Sequence, residues 1–428
     1  MKQFLITAML ISMLRLSASA TDEVPGRAQE KPVALVNAVI HPVTSPIVEG
    51  TLLFRDGKVS ALGKKVRVPD DAVIIDLRGR HVYPGMVEAH SQLGLKEISA
   101  VRASRDDRET GSLNPNVQAN VAVNPDSEAI PVTRANGILT TLSAPSGGRI
   151  SGFGSVMNLD GWTYEDMTVR ARAALIVDWP SPPSSGESPG LKILRRVFTE
   201  ARAYRRARSV PNSTQRHDIR YEAMFDVLDG SVPVMALAHD VREIQAAVSF
   251  SVEQNIRLII FGGHDAVLCA ALLKEHDIPV VVDSVHRTPR RRYEAYDYAY
   301  TLPDRLRRAG IRFCISGSET NSTWNARNLP YHAAMAVAHG LPMEDAIRAV
   351  TISPAEIMGV ADQVGSLEPG KDATLIVTDG NPLEITSHVR RAWIRGRPVQ
   401  LTSRHTRLND KYRQKYRQKA VEAQQAGD

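Results

Sequence analysis

Between residues 232 and 339, strand-like and helix-like stretches alternate at a regular spacing, and this cadence constrains the fold more than any single motif does. Residues 232–237, 257–261, 279–283 and 311–316 are short apolar runs with buried-strand character. Residues 242–253, 266–274, 302–308 and 326–339 carry helical periodicity. Strand followed by helix four times over predicts a parallel sheet of βα units. A (β/α)8 barrel and a doubly wound sheet both satisfy that pattern, and spacing alone does not choose between them.

The flanks have a different grain. Residues 33–40, 51–54, 58–62 and 73–77 read as short strands, with Arg55-Asp56-Gly57 supplying a hairpin signal. After Gly365 the β pattern returns at 373–378, then as a hairpin around Arg395-Gly396. β segments at both ends of an α/β middle predict one small domain from residues 33–83 and 363–403, with a body at 84–362. Residues 98–130 and 178–220 fit neither pattern and read as elaborate loops, the basic part of the second as a solvated helix face. Residues 404–428 read as a basic polar tail, an exposed helix or disordered chain, with seven Lys/Arg against Asp410, Glu422 and Asp428.

The first twenty residues have the form of a secretory signal: Lys2, an apolar run at 4–14 too short to span a bilayer, and Ala18-Ser19-Ala20 at the cleavage position. This predicts an exported protein, periplasmic or extracellular, with no membrane-length apolar run in its mature part. Without Lys2 and Arg15 the net charge of +6 falls to +4, and the tail accounts for that +4. The body is therefore near neutral and carries no signature of a nucleic-acid groove. Cys269 and Cys314 lie in apolar surroundings and read as small buried hydrophobes, with pairing in an oxidising compartment left open.

Three segments share a resemblance. Val82-Tyr83-Pro84-Gly85-Met86-Val87-Glu88-Ala89-His90 resembles the entry to the first barrel strand of the amidohydrolase superfamily, the imidazolonepropionase-like metal-dependent hydrolases. Residues 341–352 with Pro354-Ala355 are similar to that family's late helix, and residues 364–373 to its return into the small domain. The resemblance implies a distorted (β/α)8 TIM-like barrel with a small β-sandwich built from both chain ends. It also implies hydrolysis of carbon–nitrogen bonds other than peptide bonds, by a metal-activated water at the C-terminal ends of the strands.

Such chemistry needs about three protein ligands and an open coordination position. The family places two histidines on its first strand, two residues apart, so that both reach one ion. Here that motif reads His90-Ser91-Gln92, and a neutral amide oxygen is a poor substitute for imidazole on zinc. The fifth-strand histidine has its counterpart near Leu237, with His239 two residues on. The sixth-strand counterpart lies near Phe261 and Gly262, with His264 following. The eighth-strand aspartate would fall within residues 315–319, which hold none, and the fourth strand offers no ligand that can be assigned. His90, His239 and His264 are thus the candidate ligands of a reduced site for one divalent metal such as zinc, with His286 a weaker one; loop histidines with ordinary hydrogen bonds, and no metal at all, is the other reading.

Other polar groups offer different chemistry. Asp126 and Glu128 form a candidate acid–base pair, against turn and cap roles. Gln92, Arg134, Asn136 and Arg149 are candidate substrate contacts; Arg149 sits in the glycine-rich run 146–155, which otherwise reads as a tight turn between strands. Three functions follow: a divergent hydrolase of small molecules, a catalytically silent exported binding protein on the same fold, and an interaction role for the basic tail. The sequence leaves the oligomeric state open.

Overall fold

The computed structural model describes residues 24–183, 185–186, 188–317 and 323–425, with side chains to residue 420. The expected signal segment lies outside the described residues. Among those described, no helix is long and apolar enough to cross a membrane.

Two eight-stranded sheets carry the structure. The first takes β1 (Val33–Ile40), β2 (Val48–Arg55), β3 (Lys58–Gly63), β4 (Val73–Asp76) and β5 (His81–Pro84) from one end of the chain. From the other end it takes β14 (Leu375–Thr378), β15 (Val389–Ile394) and β16 (Arg397–Pro398). The ends meet where β5 pairs antiparallel with β14, matching Tyr83 to Ile376. Alternate residues such as Leu35, Leu52, Phe54, Leu375 and Trp393 fill one core on this sheet, as period-two side-chain direction requires.

The second sheet is the barrel. Its strands are β6 (Met86–Ser91), β7 (Ile138–Ser143), β8 (Ile150–Asn158), β9 (Thr168–Asp178), β10 (Val234–Ala238), β11 (Leu258–Gly262), β12 (Val280–Val282) and β13 (Phe313–Ile315), hydrogen-bonded in that order. From β9 to β13 all pairs are parallel, because each strand is returned by helical or irregular chain. The alternation seen in the sequence is this half of the barrel. The other half departs from a regular (β/α)8 pattern: β8 runs antiparallel to both β7 and β9. Gly147 and Gly148, both at positive φ, make the turn that lets β8 enter from the far end. Residues 178–220, expected as a loop, contain the 20-residue helix α1 (Pro189–Arg208), whose Leu194, Val197, Phe198 and Ala201 are buried against the barrel.

Side chains on one face of the barrel strands, Val234, Ala236, Ile260, Val280 and Ile315 among them, pack outward against the helices. Met235, Ile259, Phe261, Val281 and Cys314 alternate with them and fill the interior. Both cysteines are buried and unbridged. Strand β6 is the irregular member. Its register with β7 shifts after Met86 and again between Glu88 and Ser91, so simple alternation does not describe the motif that contains His90.

Among the described residues no backbone ladder pairs β6 with β13; a side chain joins them. The Glu88 carboxylate accepts the Gly317 N–H at 2.8 Å and is in close contact with the Ser316 hydroxyl. Glu88 is fully buried, and burial pushes its carboxyl up to about 7, although bonds from Ser316, Gly317, His90 and Ala89 pull the other way. Its ordinary value is 4.5. The folded chain therefore holds this proton more tightly than the unfolded chain, and the associated stability is complete below pH 4.5 and lost as pH rises through about 7. The change is on the order of 3 kcal/mol. Urea unfolding in chelator should show the stability difference between wild type and Glu88→Gln moving by that amount across this window, in favour of the variant at the higher pH. A pH-independent difference would show that Glu88 titrates normally.

Candidate functional site

The site lies at the C-terminal ends of β10, β11 and β12, where His239, His264 and Asp283 follow their strands by one or two residues. Their potential ligand atoms all lie within 4.8 Å of one another. The local sequence explains how each is held. After β10 the chain reads His239-Asp240-Val241-Arg242-Glu243. Asp240 and Glu243 form a capping box at the start of helix α2 (Val241–Gln254). The Glu243 carboxylate also accepts the His239 N–H at 2.9 Å, and the His239 carbonyl accepts the Asp265 N–H at 3.0 Å. His239 is therefore pinned at both backbone groups. Its ring lies over Gly262, whose φ of +95° and lack of a Cβ make room for the imidazole.

His264 is engaged at both ring nitrogens. Nε2 is 2.6 Å from Asp283 Oδ1, and Arg290 donates to Nδ1 at 3.0 Å. A guanidinium cannot accept a hydrogen bond, so Nδ1 is the acceptor and the ring proton is on Nε2, donated to Asp283. Arg290 is held in turn by Asp240 at 3.0 Å. Arg291 grips Asp240 and Asp265 at 2.8–2.9 Å. These arginines tie the segment after β12 across the ends of β10 and β11.

Asp283 is a buried acid bonded by His264 and within electrostatic reach of His239, His90 and His332. Burial pushes its carboxyl up, but the hydrogen bond from His264 and the neighbouring His264, His239 and His90 outweigh it and hold it below the usual carboxylate range. His90, tilted against Phe261 with ring centroids 4.1 Å apart, is pushed down to about 4 by burial, partly offset by Asp283. His239 is also lowered, by burial first. His332, on helix α4 (Leu329–Ala338), which follows helix α3 (Leu302–Arg308), is pushed down to about 4 by burial and by His286, with Asp283 opposing. It stacks on His286 at 4.3 Å. At neutral pH His90 and His332 are uncharged bases beside a carboxylate.

Four buried polar atoms here have no hydrogen-bond partner among the described residues: Nδ1 of His90, His239 and His332, and Oε1 of Gln92. Each such atom costs about 1–3 kcal/mol. Native chains carry few, and a group of them in one region marks a place built to receive something. Two imidazoles and a carboxylate with a free lone pair on His239 make a donor set suited to a divalent transition metal. The residues fit such an ion by type and proximity.

Three candidates from the sequence, His90, His239 and His264, therefore converge on Asp283, and His286 reaches the same region through His332. Gln92 is buried near them, its amide directed to Asp107 at 3.5 Å. Arg149 is at the same end of the barrel, bound to the Asp178 carbonyl and carboxylate. The others are placed elsewhere. Arg134 is buried and bonded to Asp160 at 2.8 Å, Leu159 O at 2.9 Å and Gln400 O at 3.0 Å. Because β8 is reversed, Asp160 marks the opposite end of the barrel. Asp126 lines the same cleft as Arg134 and Asp160, with its N–H on Asn124 in a local turn. Glu128 faces Arg407 at 3.8 Å, and Asn136 donates to Arg327 O at 2.7 Å. Asp126 and Glu128 thus show turn and ion-pair roles apart from the histidines, and Arg134 and Asn136 are committed to fold contacts.

Sequence reasoning missed Asp283, Arg290 and His332. A signal existed for Asp283, since an acid closing a run of three valines must emerge at a strand end. None existed for His332, which lies within a helix, nor for Arg290, one of three consecutive arginines.

Comparison with known proteins agrees with the fold. The amidohydrolase family profile matches residues 248–403. The solved structure of an amidohydrolase from Thermotoga maritima MSB8 superposes with a TM-score of 0.79 at 29% identity, covering 86% of this chain and 99% of that one. Amidohydrolase tasK of Hapsidospora irregularis is 23% identical over 408 residues, 84% of this chain. This chain spans 41% of the length of that curated relative. Phenylurea hydrolase B shares the fold at 15% identity and a TM-score of 0.54, over 87% of this chain and 97% of its own. The profile match and the amidohydrolase structure aligned over 86% of this chain support membership of the amidohydrolase superfamily.

The close seat of His239 on Gly262 gives a measurable expectation. Gly79 has φ +82° with nothing within 4 Å of an added Cβ, so Gly79→Ala reports backbone strain alone, about 1 kcal/mol. Gly262→Ala adds a clash with the His239 ring and should cost about 3 kcal/mol or more. Equal losses in urea titration would mean that the ring is not seated there.

Proposed function

We propose that this chain hydrolyses carbon–nitrogen bonds, other than peptide bonds, in small molecules, at a metal site altered from the family pattern and centred on His239, His264 and Asp283. The observation that supports it is the group of unpartnered buried atoms around Asp283, at the barrel end where this superfamily places its chemistry. A bound divalent cation, zinc foremost by donor type, supplies Lewis-acid polarisation of the scissile carbonyl and acidifies water into the neutral range.

The protein's own groups do the rest. Asp283, kept ionised, would attract the cation and accepts a hydrogen bond from His264 Nε2–H. His90 and His332, neutral at physiological pH, are further bases within electrostatic reach of Asp283. Phe261 and the buried first strand keep bulk water from the floor. Arg149 and the exposed Tyr293 and Tyr296 lie on the loops after the strands, where a substrate enters. Export, suggested by residues 1–20, would place this activity outside the cytoplasm.

A second reading has its own support. Gln92 replaces a ligand of the family, and both nitrogens of His264 are already occupied. A catalytically silent binding protein would keep this pocket for a small ligand.

Elemental analysis separates the two. The hydrolase reading expects near-stoichiometric divalent metal in protein purified without chelator, lost in His239→Ala and in Asp283→Ala, with turnover of amide or cyclic-amide substrates lost in parallel. Metal absent even after reconstitution, with a small ligand still bound, favours the silent protein. The donor argument at His264 adds a sharper expectation. Metal must displace either Arg290 from Nδ1 or the proton from Nε2, so Arg290→Ala should bind metal roughly tenfold more tightly, the size of one charge-assisted hydrogen bond. A competition titration showing equal or weaker affinity would remove Arg290 from the account.

A further inference from the structure

The C-terminal helix α5 (Arg404–Gln425) is tied down by its first turn only through named contacts. Ser403 caps it, exchanging bonds with Thr406. His405 stands beside Arg327 and Trp324, and Arg407 faces Glu128. Every described residue from Arg404 to Ala420 is exposed. A helix of 22 residues extends about 33 Å, and one exposed on all sides gains nothing from packing.

Its sequence repeats Lys-Tyr-Arg-Gln at 411–414 and 415–418, which sorts residue types into columns four apart. Arg407, Lys411, Lys415 and Lys419 form a cationic column, and Arg413 and Arg417 a second. Leu408, Tyr412 and Tyr416 lie between them, 40%, 50% and 65% exposed. Asp410, Gln414 and Gln418 lie opposite. Like charges four apart repel along a helix, so the columns disfavour α5 in water unless an anionic partner neutralises them. Arg404–Ala420 holds seven Lys/Arg against Asp410, while the rest of the mature chain is close to neutral.

We propose that α5 docks on an anionic lipid surface, lying flat with Leu408, Tyr412 and Tyr416 at the level of the headgroups and the flanking lysines and arginines on lipid phosphates. Lipid is favoured over a nucleic-acid phosphate chain because the apolar and aromatic residues share one arc between the cation columns. Interfacial helices need that arc, and tyrosine, with its apolar ring and polar tip, suits the boundary. A polyanion in water is bound by the cations alone.

The test is co-sedimentation of the full-length mature protein with vesicles of phosphatidylcholine alone and with phosphatidylglycerol added. Binding is expected only with the anionic lipid. It should weaken at least tenfold from about 0.1 M to about 1 M salt, as the screening length falls from about 10 Å to about 3 Å. Lys411→Glu/Lys415→Glu should lose at least tenfold, and Tyr412→Ser/Tyr416→Ser several-fold. The melting temperature should stay unchanged, since none of these side chains is buried. Equal binding to both vesicle types, or unchanged binding in both variants, would overturn the proposal. So would no vesicle binding, whether or not a short DNA duplex binds instead.

Discussion

Glu88 holds the barrel shut. The sheet runs from β6 round to β13, and the two edge strands meet through its carboxylate on Ser316 and Gly317 rather than through a ladder. An open eight-stranded sheet would leave two unpaired edges and a floor accessible to water. With the closure in place, the interior is dry enough that burial dominates the titration of every histidine lowered near the site. The two acids diverge for the same reason. Glu88, bonded by uncharged donors, keeps its proton toward neutrality, while Asp283, facing His264, His239 and His90, loses it early. One buried carboxyl serves the fold in its neutral form and the other serves the pocket in its charged form.

The reversed strand β8 matters for the same geometry. A regular barrel would place a helix between its second and fourth strands. Here β7, β8 and β9 are joined as a meander, and the long chain at 92–118 packs along β8, through bridges of Leu113 to Ile150 and of Gln118 to Phe153. That chain brings Asp107 under Gln92, with Arg105 and Ser146 holding Asp107 ionised against its burial. Gln92, at the first-strand position where the resemblance expects a ligand, is thus directed to a structural carboxylate. The candidate site lies at β10, β11 and β12, where capping and glycine geometry position His239, His264 and Asp283.

This explains which parts were legible in the sequence. The βα half of the barrel was, because parallel strands buried on both faces must be continuous apolar runs. The meander was not, since β8 carries four glycines and serines among its nine residues and resembles a turn. The histidines at 239 and 264 could be found, because a strand end in this fold is a site position. Asp126, Glu128, Arg134 and Asn136 looked equally polar, yet they precede β7 and lie at its N-terminal end, where the reversed β8 brings Asp160 to Arg134. A contact such as Arg290 to His264 depends on how a loop folds back over its neighbours, and no local pattern encodes that.

The state of His264 determines what the pocket can do. Its Nε2 proton is fixed by a donor on the other side, and that donor is a cation held by Asp240, which also caps α2. Geometry, charge and helix capping are therefore coupled at one arginine. A cation at Asp283 could take His264 Nε2 only if the ring proton left that nitrogen, and Arg290, by occupying Nδ1, opposes the tautomer that would release it; this sets whether His264 is a ligand or a proton donor. With Arg290 on Nδ1 of His264, the pocket contains an ionised acid, a proton donor and three neutral bases. Such a set can orient a polar ligand without metal, so the binding and hydrolytic readings differ by the position of Arg290 rather than by the fold.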